Sequence, residues 1–156
     1  MDTGSLVLYL KERGIEHTIF ELDQPVATVE DVAKAGFDPA QDVKTLVLVD
    51  EHNEPLLAII PGPLRLDFKK LCAAAGVQQV SFCAPEATAR LTGYSVGGVP
   101  PVGHQKQLRT FADPKILEHE WVVGGGGSRT TLLKISPKVI LEATEAVIVD
   151  ITHETA

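Results

Sequence analysis

Apolar residues recur at helical spacing in several parts of the chain. The clearest case is "FKKLCAAA", residues 68–75, in which the apolar side chains fall on one face of a helix. Asp67 is a favourable N-cap, and Gly76 is the residue type that most often ends a helix. The pattern therefore predicts a helix that packs one face on a core.

Similar start and stop signals predict other helices. "TVED" begins with Thr28 and places Asp31 three positions later, as in a capping box. Proline is favoured in the first helical position, which is where Pro85 stands. The predicted helices run from Ser5 to Arg13 before Gly14, from Thr28 to the stop at Gly36, over residues 85–92 before Gly93, and from Ser136 to Ala143.

Between the helices lie apolar runs that are typical of strands. They are "HTIFEL", "KTLVLVD", "PLLAIIP", "QVSFC", "QLRTFA", "EWVVGG", "TTLLKI" and "AVIVDI". "TLVLV" and "LLAII" are apolar throughout, which favours central strands covered on both faces, and "DEHNEP" between them predicts a hairpin loop. We predict one α/β (α+β) domain over residues 1–156, with helices around a mixed, partly barrel-like sheet.

The segment "GGGGSRTT", residues 124–131, resembles an engineered linker, but strand-like runs precede and follow it. It does not match a Walker phosphate loop, because the Lys-Ser/Thr pair is missing at the required spacing. From the residues alone a simple hairpin is the favoured interpretation. The alternative is that these glycines form a second wall of a ligand pocket.

Composition narrows the class of protein. The 156 residues are 44% hydrophobic, which is enough for a core without disulfides, and the net charge of -7 argues against a broad basic face for DNA or RNA. Cys72 and Cys83 lack CxxC spacing and are predicted to be small buried residues in a reducing compartment. With no apolar run of membrane-spanning length and no cleavable leader pattern, we expect a soluble, cytoplasmic protein.

Common catalytic and metal motifs are missing from the sequence. The histidines have no HExxH or His-x-His spacing, and no GxSxG nucleophile elbow occurs. Cysteine catalysis needs an exposed, electropositive thiol, whereas both cysteines are predicted to be buried. The sequence therefore predicts no metal and no cofactor.

Lys44 opens "KTLVLV", and strand alternation places it on the same side as Leu46 and Leu48. A lysine that shares a face with core leucines usually extends outward to solvent. The alternative is that its ammonium points into a cavity, where it would bind an anion or a polarised carbonyl strongly.

The stretch "TGYSVGGVPPVGH", residues 92–104, fits neither helix nor strand. Gly97 and Gly98 permit unusual backbone conformations and leave their amides unobstructed, while Pro100 and Pro101 stiffen the exit. Consecutive free amides form a site suited to an oxyanion. A rigid connecting loop explains the residues equally well at this point.

Four segments together resemble the YbaK/EbsC family of aminoacyl-tRNA deacylases, which also occurs as the editing domain inserted in bacterial prolyl-tRNA synthetases. They are "KTLVLVD", "LLAIIPGPLRLDFKKL", "LTGYSVGGVPPVG" and "SRTTLLKISP". The resemblance covers roughly residues 15 to 150 and includes the family's GxxxP loop. It implies trans-editing, the hydrolysis of mischarged aminoacyl-tRNA, typically a mischarged proline tRNA. The need arises because a synthetase pocket cannot reject a smaller or similar amino acid by binding alone.

The resemblance also implies roles for individual residues. Lys44, with Thr45 beside it, would anchor the substrate, and the backbone of Gly97 and Gly98 would hold the carbonyl and its oxyanion. No protein nucleophile is required, since water, a ribose hydroxyl or a substrate thiol attacks. The other residues implied in substrate binding are Phe20, Val99, Pro100, Pro101, Gly125, Gly126 and Arg129.

The chain departs from the family at the second glycine loop. Leu132 stands near the position where many relatives carry an acidic residue, the histidine of the editing-domain branch is missing there, and "GGGG" replaces the usual turn. The amino acid removed therefore stays open among cysteine, alanine, serine, threonine and others. The alternatives are a noncatalytic aminoacyl- or nucleotide-binding or synthetase-docking module, and a general small-ester hydrolase.

The expected partner is the aminoacylated acceptor end of a tRNA, with prolyl-tRNA synthetase or elongation factor as assisting partners. Because the chain is acidic, we expect weak intrinsic affinity for tRNA and limited recognition beyond the acceptor end. Basic residues considered as tRNA contacts, or as ordinary surface charges, are Arg65, Lys69, Lys70, Lys106 and Arg109.

Overall fold

The two runs that are apolar throughout form the centre of the main sheet. In the computed structural model, which describes residues 1–154, β2 (Val43–Asp50) and β3 (Pro55–Pro61) pair as an antiparallel hairpin, as predicted. The loop closes because the Asp50 carboxylate accepts hydrogen bonds from the N–H groups of His52 and Glu54. Residues 155–156 of the predicted domain lie outside the described residues.

Helices and short strands surround this hairpin. The helices are α1 Thr3–Glu12, α2 Val29–Lys34, α3 Phe68–Ala75, α4 Pro85–Thr92 and α5 Pro137–Thr144, with 3-10 turns at Pro39–Gln41 and Pro114–Glu118. The other strands are β1 His17–Glu21, β4 Arg65–Leu66, β5 Val80–Phe82, β6 Arg109–Ala112, β7 Val122–Gly125, β8 Thr131–Ile135, β9 Val147–Ile148 and β10 Thr152–His153.

The strands form one mixed sheet and two smaller antiparallel ones. The mixed sheet has the order β5-β2-β3-β6-β9, in which β3, β6 and β9 run parallel. A second sheet has the order β1-β8-β7, and a parallel bridge between Asp42 and Val123 joins it to β2. The predicted mixed α/β domain is confirmed, although these sheets do not close into a barrel over residues 1–154.

Helix capping accounts for most of the observed helix boundaries. The predictions for α3 and α4 are correct, and Gly76 and Gly93 end these helices in the left-handed conformation. The predicted start of α1 at Ser5 is wrong. Asp2 is the N-cap, and its carboxylate accepts the Ser5 N–H, so Ser5 is the third helical residue of the capping box.

The pairing of β4 with β10 was missed because each strand has only two residues, too few to show alternation. The fully buried Asp113 holds this region together. Its carboxylate accepts hydrogen bonds from the Ile151 N–H and the Thr152 hydroxyl. A single acidic residue after β6 therefore fixes the position of the C-terminal strand.

Both cysteines are free but only half-buried, which corrects the prediction that they are buried. Cys72 lies beside the buried positions Leu71 and Ala75 of α3 rather than at the centre of its apolar face. Cys83 follows the short strand β5 at the edge of the sheet. In the part of the chain that the structure describes, no helix is both long and apolar enough to cross a membrane.

Candidate functional site

A cavity of about 440 Å³ lies along the edge of β2. It forms there because β5 pairs only with Leu48–Asp50, while β7 meets β2 near Asp42, so the middle of the strand lacks a neighbour on that side. The lining residues are Val26, Ala27, Thr28, Val32, Asp42, Val43, Lys44, Thr45, Leu46, Val47, Phe82, Cys83, Thr88, Val96, Gly97, Val99, Gly124, Gly125, Thr131 and Leu132. A space of this size is typical of small-molecule sites.

Lys44 is half-buried and lines the cavity, which favours the pocket interpretation over a lysine extended into solvent. Leu46 and Leu48 lie on the same face and pack in a core cluster, as predicted. Thr45 also lines the cavity. The Val47 carbonyl accepts the Cys83 N–H at this edge, so strand alternation directs the N–H and C=O of Thr45 into the gap.

The loop Ser95–Gly98 forms a tight turn at the rim of the cavity. The Gly98 N–H donates to the Ser95 carbonyl over 3.0 Å, and Gly97 has a φ of +92°, as a type II turn requires. The Gly98 amide is therefore occupied, contrary to the expectation of two free consecutive amides. Among the described residues, the N–H groups of Gly97 and Val99 have no hydrogen-bond partner, and both residues line the cavity.

The residues that follow in the loop hold it in place without lining the cavity. Pro100 and Pro101 are buried and lie outside the cavity lining. The Pro100 carbonyl accepts a 2.7 Å hydrogen bond from His104 Nε2–H, a contact that the sequence analysis missed. Burial lowers the pKa of His104, so the ring is neutral at physiological pH and can hold the loop as a donor.

The first two of the four consecutive glycines form a wall of the cavity, which corrects the preference for a simple hairpin. Gly124 and Gly125 line the cavity, and a Cβ on Gly125 would collide with the Val99 carbonyl. On the other side, a Cβ on Gly98 would lie 2.9 Å from Ser128 Cα. The two loops thus pack backbone against backbone.

Three other residues predicted in the site lie near the cavity without lining it. Gly126 packs on Thr131, and the exposed Arg129 lies beside Gly97, where a Cβ would be 3.4 Å from Arg129 Cγ. Phe20 on β1 pairs across the strands with the lining residue Leu132 and contacts the Phe37 ring edge-to-face at 5.0 Å.

Asp42 is a cavity residue that the sequence pattern did not single out. It lines the cavity two positions before Lys44 and is only 6% exposed. Burial raises the pKa of Asp42 to about 7, although the nearby Lys44 ammonium acts in the opposite direction. The available signal was its spacing, because residues two apart in a strand share a face.

Cys83 is the only thiol in the cavity lining. Burial raises the pKa of this thiol, so it stays protonated at neutral pH and is a poor nucleophile. No histidine lines the cavity, and in residues 1–154 no cluster of His, Cys, Asp and Glu is arranged to hold a metal ion.

The basic residues considered as tRNA contacts lie outside the cavity lining. Lys70 pairs with Asp150 at 2.9 Å, and Arg109 donates to the Ala75 carbonyl over 2.8 Å. These two are therefore occupied in contacts within the protein.

Comparison with known proteins decides the family. Residues 23–143 match the model of the aminoacyl-tRNA editing domain. The chain belongs to this family. The match includes Lys44 and both glycine loops, so the cavity lies within the editing domain.

Several relatives resemble this editing domain over most of its length. A candidate Cys-tRNA(Pro)/Cys-tRNA(Cys) deacylase, EbsC of Enterococcus faecalis, is 32% identical over 126 residues, which are 80% of this chain and 77% of that protein. The proline–tRNA ligase of Citrifermentans bemidjiense is 32% identical over 133 residues, 81% of this chain but only 23% of the ligase. The crystal structure of a candidate trans-editing enzyme for prolyl tRNA synthetase superposes with a TM-score of 0.87 at 32% identity, covering 97% of this chain and 96% of that one.

Proposed function

We propose that this protein is a trans-editing hydrolase that removes a wrong amino acid from the 3′ end of a proline tRNA. The observation that carries the proposal is that Lys44 and the Gly97–Val99 loop line the same cavity. Membership of the editing-domain family and the similarity to a candidate Cys-tRNA(Pro) deacylase support the same activity.

In the proposed mechanism the protein polarises and positions the ester. Water attacks the carbonyl carbon, or the thiol of a cysteine substrate attacks it and leaves as a thiolactone, and negative charge develops on the carbonyl oxygen. The free N–H groups of Gly97 and Val99 and the Lys44 ammonium stabilise that charge. Collapse breaks the bond to the ribose oxygen, which takes up the proton that the attacking group releases.

The largely apolar lining favours a small amino acid. Val32, Val96 and Leu132 contribute aliphatic surface, and the cavity of about 440 Å³ must also admit part of the terminal nucleotide. We propose cysteine or alanine as the amino acid removed, with proline spared. Gly98 has a structural part in this scheme, since it lets the two glycine loops meet.

A deacylation panel tests the proposal. Proline tRNA charged with cysteine, alanine, serine or proline is incubated with the wild-type protein, with Lys44→Ala, and with Lys138→Ala as an exposed control outside the cavity. We expect hydrolysis of one mischarged species, and a roughly hundredfold loss in Lys44→Ala alone.

Two other results would contradict the proposal. If the wild-type protein hydrolyses no species but binds an aminoacyl ligand, the protein is a noncatalytic binding module. If simple activated esters are hydrolysed as well as mischarged tRNA, it is a general esterase. A thermal melt of each variant shows whether a loss of activity reflects unfolding.

A further inference from the structure

Asp42 stands out because its carboxyl group is nearly buried without a direct partner among the described residues. Asp42 is only 6% exposed and its side chain forms no hydrogen bond or ion pair with any described residue, yet its carboxyl oxygens are not completely shut off from solvent. A nearly buried carboxylate without a partner is disfavoured, and a ligand in the cavity can supply that partner. It is also the only carboxyl group in the cavity lining.

The fold holds this carboxyl group in place. Asp42 pairs through its backbone with Gly62, whose N–H donates to the Asp42 carbonyl over 2.7 Å. A side chain at position 62 would collide with the Asp42 carboxyl, so glycine leaves the space that the carboxyl occupies. The site is therefore built into the end of the β2–β3 hairpin.

Asp42 directly precedes β2 and lies two residues from Lys44, so strand alternation places an acidic and a basic side chain on one face. They form no ion pair within 4.0 Å over the described residues, so each is free to meet a group of the substrate. The acceptor end of a tRNA is anionic, and a carboxylate would repel its phosphates. The one cationic group near the ester is the α-ammonium of the amino acid.

We propose that Asp42 binds the α-ammonium group of the aminoacyl moiety and so restricts the cavity to substrates with a free α-amino group. This inference rests on the proposed function. A carboxylate and an ammonium form a strong charge-assisted hydrogen bond, and the apolar lining limits competition from water. Lys44 then contacts an anionic group of the substrate or the developing oxyanion, and the two side chains orient the ester between them.

The test uses an isosteric change in the substrate. Nitrous acid converts the ammonium of an aminoacyl-tRNA to a hydroxyl, which removes the charge with little change in size. We expect Asp42→Asn to lower kcat/KM for the aminoacyl ester roughly tenfold to hundredfold, mainly through KM, and to leave the α-hydroxyacyl ester unchanged. The exposed Asp23→Asn removes the same net charge outside the cavity and should affect neither substrate.

An equal loss on both substrates would overturn the inference, because it would assign Asp42 to proton transfer or to folding. An unchanged rate on the aminoacyl ester would overturn it as well.

Binding of adenosine that carries the amino acid through a 3′ amide separates this inference from the proposed function. Suppose that no ester is hydrolysed. If the wild-type protein then binds the analogue with a free α-amino group more tightly than its α-hydroxy counterpart, and Asp42→Asn loses this preference, the result supports the ammonium site alone. Equal binding of the two analogues overturns the inference.

Discussion

At the residue scale, the cavity lining contains a carboxyl group whose surroundings disfavour its charged form. Asp42 is buried beside Gly62 and has no hydrogen-bonding partner among the described residues, so burial raises its pKa from 3.8 to about 7. Groups whose environments shift their pKa strongly are common at functional sites. The same shift has a consequence for stability that can be measured without any substrate.

Between pH 3.8 and about 7, folded protein retains a proton on Asp42 that the unfolded chain has released. The contribution of this group to the free energy of unfolding is therefore full at acid pH and falls as pH rises through that window. Asp42→Asn removes this dependence. Relative to wild type, we expect the variant to gain roughly 2–3 kcal/mol between about pH 5 and about pH 8.

Urea unfolding of both proteins at the two pH values measures this difference. All other titrating groups are shared, so their effects cancel in the comparison. A constant difference between the variant and the wild type would mean that Asp42 titrates normally and is open to solvent.

At the scale of elements, two glycine loops determine the shape of the site. The turn at Gly97–Gly98 and the β7–β8 hairpin approach so closely that side chains are excluded at the contact. The Gly127 N–H donates to the Gly98 carbonyl over 2.9 Å, which locks the two loops together. The glycines thus serve close packing as well as turn formation.

Gly98→Ala tests this packing. The added Cβ would lie 2.9 Å from the Ser128 backbone, so the loops must separate, and we expect a loss of about 1–3 kcal/mol in the free energy of unfolding. Gly4→Ala is the control, because Gly4 is exposed within α1 and an added Cβ would meet only the exposed Asp2 side chain, at 3.3 Å, so stability should change little. Equal stability of Gly98→Ala and wild type in urea would show that the loops are not tightly packed.

The sequence was informative where structure is local. Caps and stop glycines predicted α3 and α4, and uninterrupted apolar runs predicted β2 and β3, because these signals depend on neighbouring residues. The contact between Gly98 and Ser128 joins residues that are far apart in the chain, so only the fold reveals it. Asp42 was missed for a related reason, since its burial depends on Gly62 at the end of the next strand.

At the scale of the whole molecule, charge limits how the protein can hold tRNA. It has 14 Lys and Arg residues against 21 Asp and Glu, and the cavity lining contains one lysine and no arginine. A protein needs a basic surface to neutralise many phosphates. Such binding releases counterions from the nucleic acid and is therefore strongly salt-dependent. We therefore expect recognition to be confined to the acceptor end.

A minihelix that contains only the acceptor stem, charged with the preferred amino acid, should accordingly be deacylated within about twofold of the full tRNA. Because only one or two phosphates are neutralised, a plot of log kcat/KM against log salt should have a slope no steeper than about -2. Steady-state kinetics at several salt concentrations measure both quantities. A tenfold preference for the full tRNA, together with a steep slope, would contradict this expectation because it would require contacts along the tRNA body. Those contacts would have to come from basic residues outside the cavity, such as Arg65 and Lys69.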